Sequence, residues 1–349
     1  MTHTERIKAM IENKTVDRVG ISGWVHMPMV DRNVKDFTKA TIDFTDNNGW
    51  DFVKVMSNGH YFAEAYGAKI RWRNDPKEWS GEILRYPVTS AEEAAALPVI
   101  NPDENSVFQR EIEIARNICK HYNGSIPVLA TIFTPLTWLQ EMSCSTQPAI
   151  VKRWLKEDKA AVHKALEALL ETNKKLLDRF IEAGIDGIFI STQFGSRDII
   201  SKEEADEFCH PYDRELLEYI KDRTWFNMLH VHYCENLAME EYIDYPVQAF
   251  NWENCTKTQD MSRLTSIKQM RELTDKVLIS GIDQHHDFHN AENDREKIKE
   301  TLRRRLLTSL EECGDSKFIF APGCALPMDV DRYVFTLMQE VVLESGVFK

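Results

Sequence analysis

The sequence predicts an α/β protein folded as a (β/α)8 TIM barrel, a single domain over residues 1–349. Three observations predict it. Short apolar runs alternate with longer amphipathic stretches, a pattern that requires a parallel sheet with crossover helices. There are eight such runs, the strand number at which a parallel sheet closes on itself. Reactive side chains follow several of the runs, where this architecture places its sites.

The candidate strands are 19–24, 51–56, 127–133, 187–192, 226–234, 249–253, 277–283 and 318–323. The clearest helix covers 149–183, where Ile150, Trp154, Val162, Leu166, Leu169, Leu170 and Leu177 recur at helical spacing. Gly184 follows as its C-cap. Ser201 with Glu204 forms a capping box that opens the next helix. The interval 57–126 is too long for a minimal strand–helix unit. It reads as an excursion over one barrel end after the second strand. No Gly/Ser-rich linker or internal repeat divides the chain, so one domain is the better count.

Composition excludes several classes. With 349 residues, 43% of them hydrophobic, the chain can bury a large core. A net charge of −13 argues against a general nucleic-acid or anionic-membrane binder, whose footprint is basic. The N-terminal MTHTERIKAMIENKT is charged and lacks the apolar region of a signal peptide. The longest uncharged apolar stretch, 126–139, is too short to span a bilayer. Seven scattered cysteines, an odd number, read as reduced thiols in a cytoplasmic protein.

The stretch 228–236 reads MLHVHYCEN, with His230, His232 and Cys234 at alternating positions. Side chains alternate across a strand, so all three would face one side, toward the barrel axis if Leu229 and Val231 face the helices. Zinc takes four ligands, one position staying open in a catalytic site. Cys324, in APGC after the eighth strand, is the candidate third ligand. Glu253, in NWENC after the sixth, is the candidate fourth. Spacing alone leaves a second reading open: two hydrogen-bonded core histidines and a small buried thiol. Asp283, ending the seventh strand, is a candidate acceptor that orients a metal-bound histidine. His285, His286, Asp287 and His289 read as a solvated loop, with a second metal site as the alternative. His26, Arg32, Asn58 and His60 are candidate pocket residues after the first two strands. Phe194 and Arg197, after the fourth, are candidates for gripping an anionic substrate. Trp24, Trp138 and Trp252 read as apolar walls.

The segments DRVGISGW, FTPLTWL, FGSRDIISKEEADEFCHPY, LHVHYCEN, NWEN, GID and FIFAPGC follow in an order that resembles the uroporphyrinogen decarboxylase superfamily, from about residue 16 to 345. The resemblance implies the same barrel. It offers two chemistries. Uroporphyrinogen decarboxylase itself needs no cofactor, and this sequence departs from its pattern. Asn58 or Gly59 stands where that enzyme has an aspartate, Glu141 falls where it has a tyrosine, Cys324 replaces a histidine, and only Arg32 is near the first strand's end. The other branch consists of zinc-dependent methyltransferases that move a methyl group from a corrinoid protein to a thiol. They carry H-x-C on strand five and a cysteine on strand eight. Here the match is His232 with Cys234, or His230 with His232 in the H-x-H form, together with Cys324. That likeness implies one zinc per chain and a glutamate nearby, matched by Glu253. It also implies a corrinoid protein as partner and methyl source, and a small-molecule methyl acceptor. The sequence leaves the oligomeric state open, a homodimer being one option, and points to no nucleic acid and no membrane. The alternatives are decarboxylation of a porphyrinogen or smaller acid, and a non-catalytic module that only docks a corrinoid protein.

Overall fold

Eight short strands, almost wholly buried, build the centre of the molecule: β1 (Gly20–Ile21), β2 (Val53–Lys54), β3 (Val128–Phe133), β4 (Gly187–Thr192), β5 (Met228–Val231), β6 (Ala249–Trp252), β7 (Val277–Ile282) and β8 (Phe318–Pro322). The structure is a computed structural model that describes residues 1–78, 81–143, 149–233, 235–257, 260–289, 294–314 and 316–346. Each strand lies within one of the eight predicted runs. All pair in parallel, in the order β1-β8-β7-β6-β5-β4-β3-β2. The two end strands meet as well. Asp51 N–H donates to Ile21 O at 2.7 Å, and Ser22 Oγ donates to Phe52 O at 3.0 Å. The sheet is thereby closed into the predicted (β/α)8 barrel.

Alternation along the strands produces two apolar layers. Trp24, Phe52, Phe189, Met228 and Ile279 fill the barrel interior, while Val53, Ile190, Leu229 and Val231 face the helices. Ile7 and Met10 of the N-terminal helix His3–Ile11 join the interior layer. Arg6 of that helix and Arg18 both bind the buried Asp51 carboxylate, at 2.6 and 2.7 Å, just before β2. The helix therefore closes the N-terminal barrel end and leaves the opposite end for chemistry. Strands β4 and β5 approach so closely that only glycine fits at 187. A Cβ there would lie 1.7 Å from Phe226 O.

The excursion after β2 holds the short helix Tyr61–Ala65, an antiparallel hairpin (Lys69–Trp72 with Gly81–Arg85), the short helix Ala91–Ala95 and the crossover helix Ser106–Tyr122. The helix predicted over 149–183 is two helices, Ala149–Glu157 and Lys159–Glu182. Asp158 breaks it with φ −134° and ψ 43°. Aspartate favours helix starts over interiors, because its side chain competes for backbone hydrogen bonds. Gly184 ends the second helix in the left-handed region at φ 98°. The Ser201–Glu204 capping box is present. No helix of the described residues is long and apolar enough to cross a membrane.

Candidate metal centre

At the C-terminal end of the strands the barrel opens into a cavity of about 280 Å³. Five aromatic side chains line it, Trp24, Tyr61, Phe133, Trp138 and Phe189, together with polar groups. At one side His230, His232 and Cys324 each offer a ligand atom within 4.8 Å of the other two. His230 Nε2 lies 3.2 Å from His232 Nδ1, which lies 3.8 Å from Cys324 Sγ. In a tetrahedral zinc site the corresponding edges are about 3.3 and about 3.6 Å. Two imidazoles with a thiol form a borderline-soft set that suits zinc rather than magnesium or calcium. The residues present therefore fit the metal that the sequence implied.

Two features hold the cluster in place. The fully buried Asn251 on β6 donates through Nδ2 to Ile279 O at 2.7 Å and to Pro322 O at 3.0 Å. Its Oδ1 is thus turned toward His230 Nδ1, at 2.6 Å. An amide oxygen only accepts, so His230 carries its proton on Nδ1 and leaves the Nε2 lone pair free for a metal. The ring also stacks on Phe189 at 5.2 Å between centroids. The second feature is Gly323. A Cβ there would lie 2.7 Å from Glu253 Cα. Glycine thus lets the chain carrying Cys324 press against the end of β6.

Burial dominates the electrostatics. It pushes the Cys324 thiol up to about 12 and pulls His230 down to about 3, with His232 adding to the second shift. It lowers His232 too. Glu253 behaves otherwise. Burial works against its charge, but His285, at 3.7 Å, with His232 and Thr256 outweighs burial and holds the carboxyl at about 2. Glu253 also accepts from Thr256 Oγ1 at 2.8 Å. An ionised carboxylate therefore stands beside the cluster without belonging to it.

His26 and Asn58 line the cavity, as do Trp24 and Trp138. Several other expected residues do not. His60 is buried beside Gly81 O, 3.0 Å from its Nε2. Arg32 stacks over Trp72 at 4.3 Å. Phe194 is packed in the outer core, and Arg197 is ion-paired with Glu241, so neither grips a ligand here. Trp252 donates to Thr265 O instead of walling the cavity. Asp283 does not orient a histidine of the cluster. It accepts from His286 Nδ1 and from the backbone N–H of His285 and Lys257, and Asn251 takes the orienting role instead. Among its described residues the histidine-rich loop forms no shared site. His285 meets Glu253, His286 meets Asp283, His289 meets Asp329, and Asp287 is bound by Arg305. Cys234 lies outside the described residues. The strand alternation that was to align it stops earlier, since β5 ends at Val231 and Tyr233 has φ 75°.

Three groups in or behind the cavity wall carried less weight in the sequence than in the fold. Lys54 was detectable as the lone charge inside an apolar run, VKVM. Asn251 shares the parity of His230 on the neighbouring strand. Glu141, read only as filling a tyrosine's place, lines the cavity with Gln193, which donates to it at 2.8 Å. Burial raises the Glu141 carboxyl to about 7, against the effect of that bond.

Comparison with known proteins settles the lineage. The family model for uroporphyrinogen decarboxylase (URO-D) matches residues 2–344. The chain belongs to the uroporphyrinogen decarboxylase family. A relative in that family, the uroporphyrinogen decarboxylase of Chlorobium limicola, is 23% identical over 322 residues, covering 88% of this chain and 84% of its own. Two solved structures share the fold. A methyltransferase from Methanosarcina mazei superposes with a TM-score of 0.80 at 16% identity, over 99% of both chains. A B12-independent methionine synthase from Shewanella sp. W3-18-1 gives 0.56 at 12% identity, over 95% of this chain and 97% of its own. The family and its fold neighbours thus span more than one chemistry, and the site must discriminate among them.

Proposed function

We propose that this member of the uroporphyrinogen decarboxylase family is a zinc-dependent methyltransferase, moving a methyl group from a methylated corrinoid, on a partner protein, to a small thiol. The observation that carries the reading is the convergence of His230, His232 and Cys324 at the wall of a cavity lined by aromatic side chains. A free thiol titrates at about 8.5 and is mostly protonated at neutral pH. Zinc in this cluster would hold an acceptor thiol as its nucleophilic thiolate. Cys324 must itself give up a proton that burial otherwise retains. Asn251 keeps the His230 Nε2 lone pair available throughout. Glu253 remains ionised beside His232 and joins the proposal as the candidate labile fourth ligand. Cys234 joins this proposal as a candidate ligand from the sequence.

The second reading is decarboxylation, favoured by the relative from Chlorobium limicola. The cavity speaks against a porphyrinogen. Its volume of about 280 Å³ is small, and among the described residues its lining holds one lysine and no arginine to clamp a polycarboxylate.

Elemental analysis of freshly purified protein tests the proposal, with methyl transfer from methylcobalamin to a panel of thiols followed by cobalamin absorbance. Wild type is expected to hold about one zinc per chain and to demethylate the cobalamin. Cys324→Ser is expected to lose both together. A metal-free, chelator-insensitive enzyme overturns the proposal.

A further inference from the structure

One charged group in this cavity has no task in the chemistry just proposed. Lys54 stands on the inward face of β2, is 7% exposed and lines the cavity. Its ammonium contacts the Met56 sulfur and lies 4.1 Å from the Phe189 ring centroid and 5.7 Å from that of Trp24. Among the described residues no carboxylate is ion-paired with it, and burial pulls its ammonium down to about 7. Glu141, the carboxyl that also lines the cavity, is engaged by Gln193 instead.

A buried cation without a counter-ion is expensive. Cation–π contacts with the two rings offset only part of that cost. A structural role gives no reason to keep the charge, because an apolar side chain of the same length would pack against Met56, Phe189 and Trp24 without desolvation. A bound anion gives one. It would supply the missing partner in a water-poor site, where a charge-assisted bond is strong.

We propose that Lys54 anchors the carboxylate of a small monoanionic substrate, so that this site selects short acids over neutral compounds and over polycarboxylates. The proposal rests on reading the cavity as the substrate site, which it shares with the function above. It does not depend on which reaction occurs there. Lys54 and the ligand cluster line the same cavity of about 280 Å³, so an acid anchored at Lys54 shares that small space with the cluster.

Isothermal titration of the zinc-loaded, full-length protein with two matched pairs tests it. The first pair is 3-mercaptopropionate and 3-mercapto-1-propanol, and the second is butyrate and 1-butanol. Wild type should bind each acid about ten-fold or more tightly than its alcohol, the strength of one buried charge-assisted bond. In Lys54→Met that preference should fall to within about two-fold. Lys54→Arg should retain much of it. Lys54→Gln serves if the methionine variant does not fold, and the wild-type comparison needs no variant. The assignment is overturned if wild type binds acids no better than alcohols, if neither acid binds at millimolar concentration, or if the methionine variant keeps the preference. The thiol-over-methyl ratio, read from 3-mercaptopropionate against butyrate, reports separately on the metal centre. Its loss with the acid preference intact sinks thiolate activation and leaves Lys54 standing.

Discussion

Asn251→Ala separates two jobs done by one side chain. Asn251 is fully buried and makes three hydrogen bonds, one to His230 and two to the carbonyls of Ile279 and Pro322. Alanine strands an imidazole N–H and two carbonyl oxygens. Each stranded buried group costs about 1–3 kcal/mol, and water entering the vacated space recovers part of it. The expected loss of stability is about 2–5 kcal/mol. Freed from Asn251, His230 also loses its fixed tautomer and ring orientation. Removal of such a partner weakens metal binding by about 10–100-fold. Urea denaturation of the metal-free protein reads the first effect, and zinc competition against a chromophoric chelator reads the second. Asn251→Asp supplies the control. Its carboxylate still accepts from His230, so zinc affinity should return toward wild type while the loss of the two donated bonds persists. A folded alanine variant with wild-type zinc affinity would refute the reasoning, since Nε2 of His230 would then need no help from Asn251 to reach the metal.

Three further outcomes follow from the geometry. At Asp51, burial opposes the charge, but His3, Arg18 and Arg6 outweigh it and hold the folded carboxyl below its ordinary value. Its contribution is therefore present above the unfolded value of about pH 4 and is lost as pH falls below it. Asp51→Asn should lose about 3–5 kcal/mol at pH 7 and show a weaker acid dependence, read from urea midpoints at pH 7 and pH 3. Glu141 has the opposite sign. Its folded carboxyl is raised to about 7 from 4.5, so it destabilises the fold progressively as pH rises between those values and fully above them. Glu141→Gln should therefore gain on the order of 3 kcal/mol over wild type at pH 8 and nothing at pH 4, and equal pH profiles for the two proteins would contradict the burial argument. Gly187→Ala forces a methyl group onto the Phe226 carbonyl. It should cost about 3 kcal/mol or prevent folding, and a thermal midpoint unchanged from wild type would mean that β4 and β5 are not so closely apposed.

The sequence was most informative where chemistry repeats. Short apolar runs located all eight strands, because both faces of a barrel strand are buried and its apolar signal is nearly continuous. The parity of His230 and His232 brought both to one face. Cys324 was legible from its place after the eighth run. Arg32, Arg197 and Phe194 misled, because residue type shows that a side chain is capable of gripping a ligand but not whether Trp72, Glu241 or the outer core already holds it. The break at Asp158 was hidden by apolar spacing that continues through it. In the histidine-rich loop, proximity along the chain suggested a shared site, whereas the fold gives each group its own partner.

The order of apolar and polar residues along this chain by itself determined a closed parallel barrel and the strand ends that bear the reactive groups, since solvent exclusion acts on local patterns that any reader of the sequence can count. Only the tertiary structure decided that Asn251 rather than Asp283 aims a histidine, that Glu253 is ionised while Glu141 resists ionisation, and that Lys54 stands in the cavity without a carboxylate partner among the described residues. Those outcomes depend on distance and desolvation between residues far apart in the chain, and neither quantity is written in the spacing of letters.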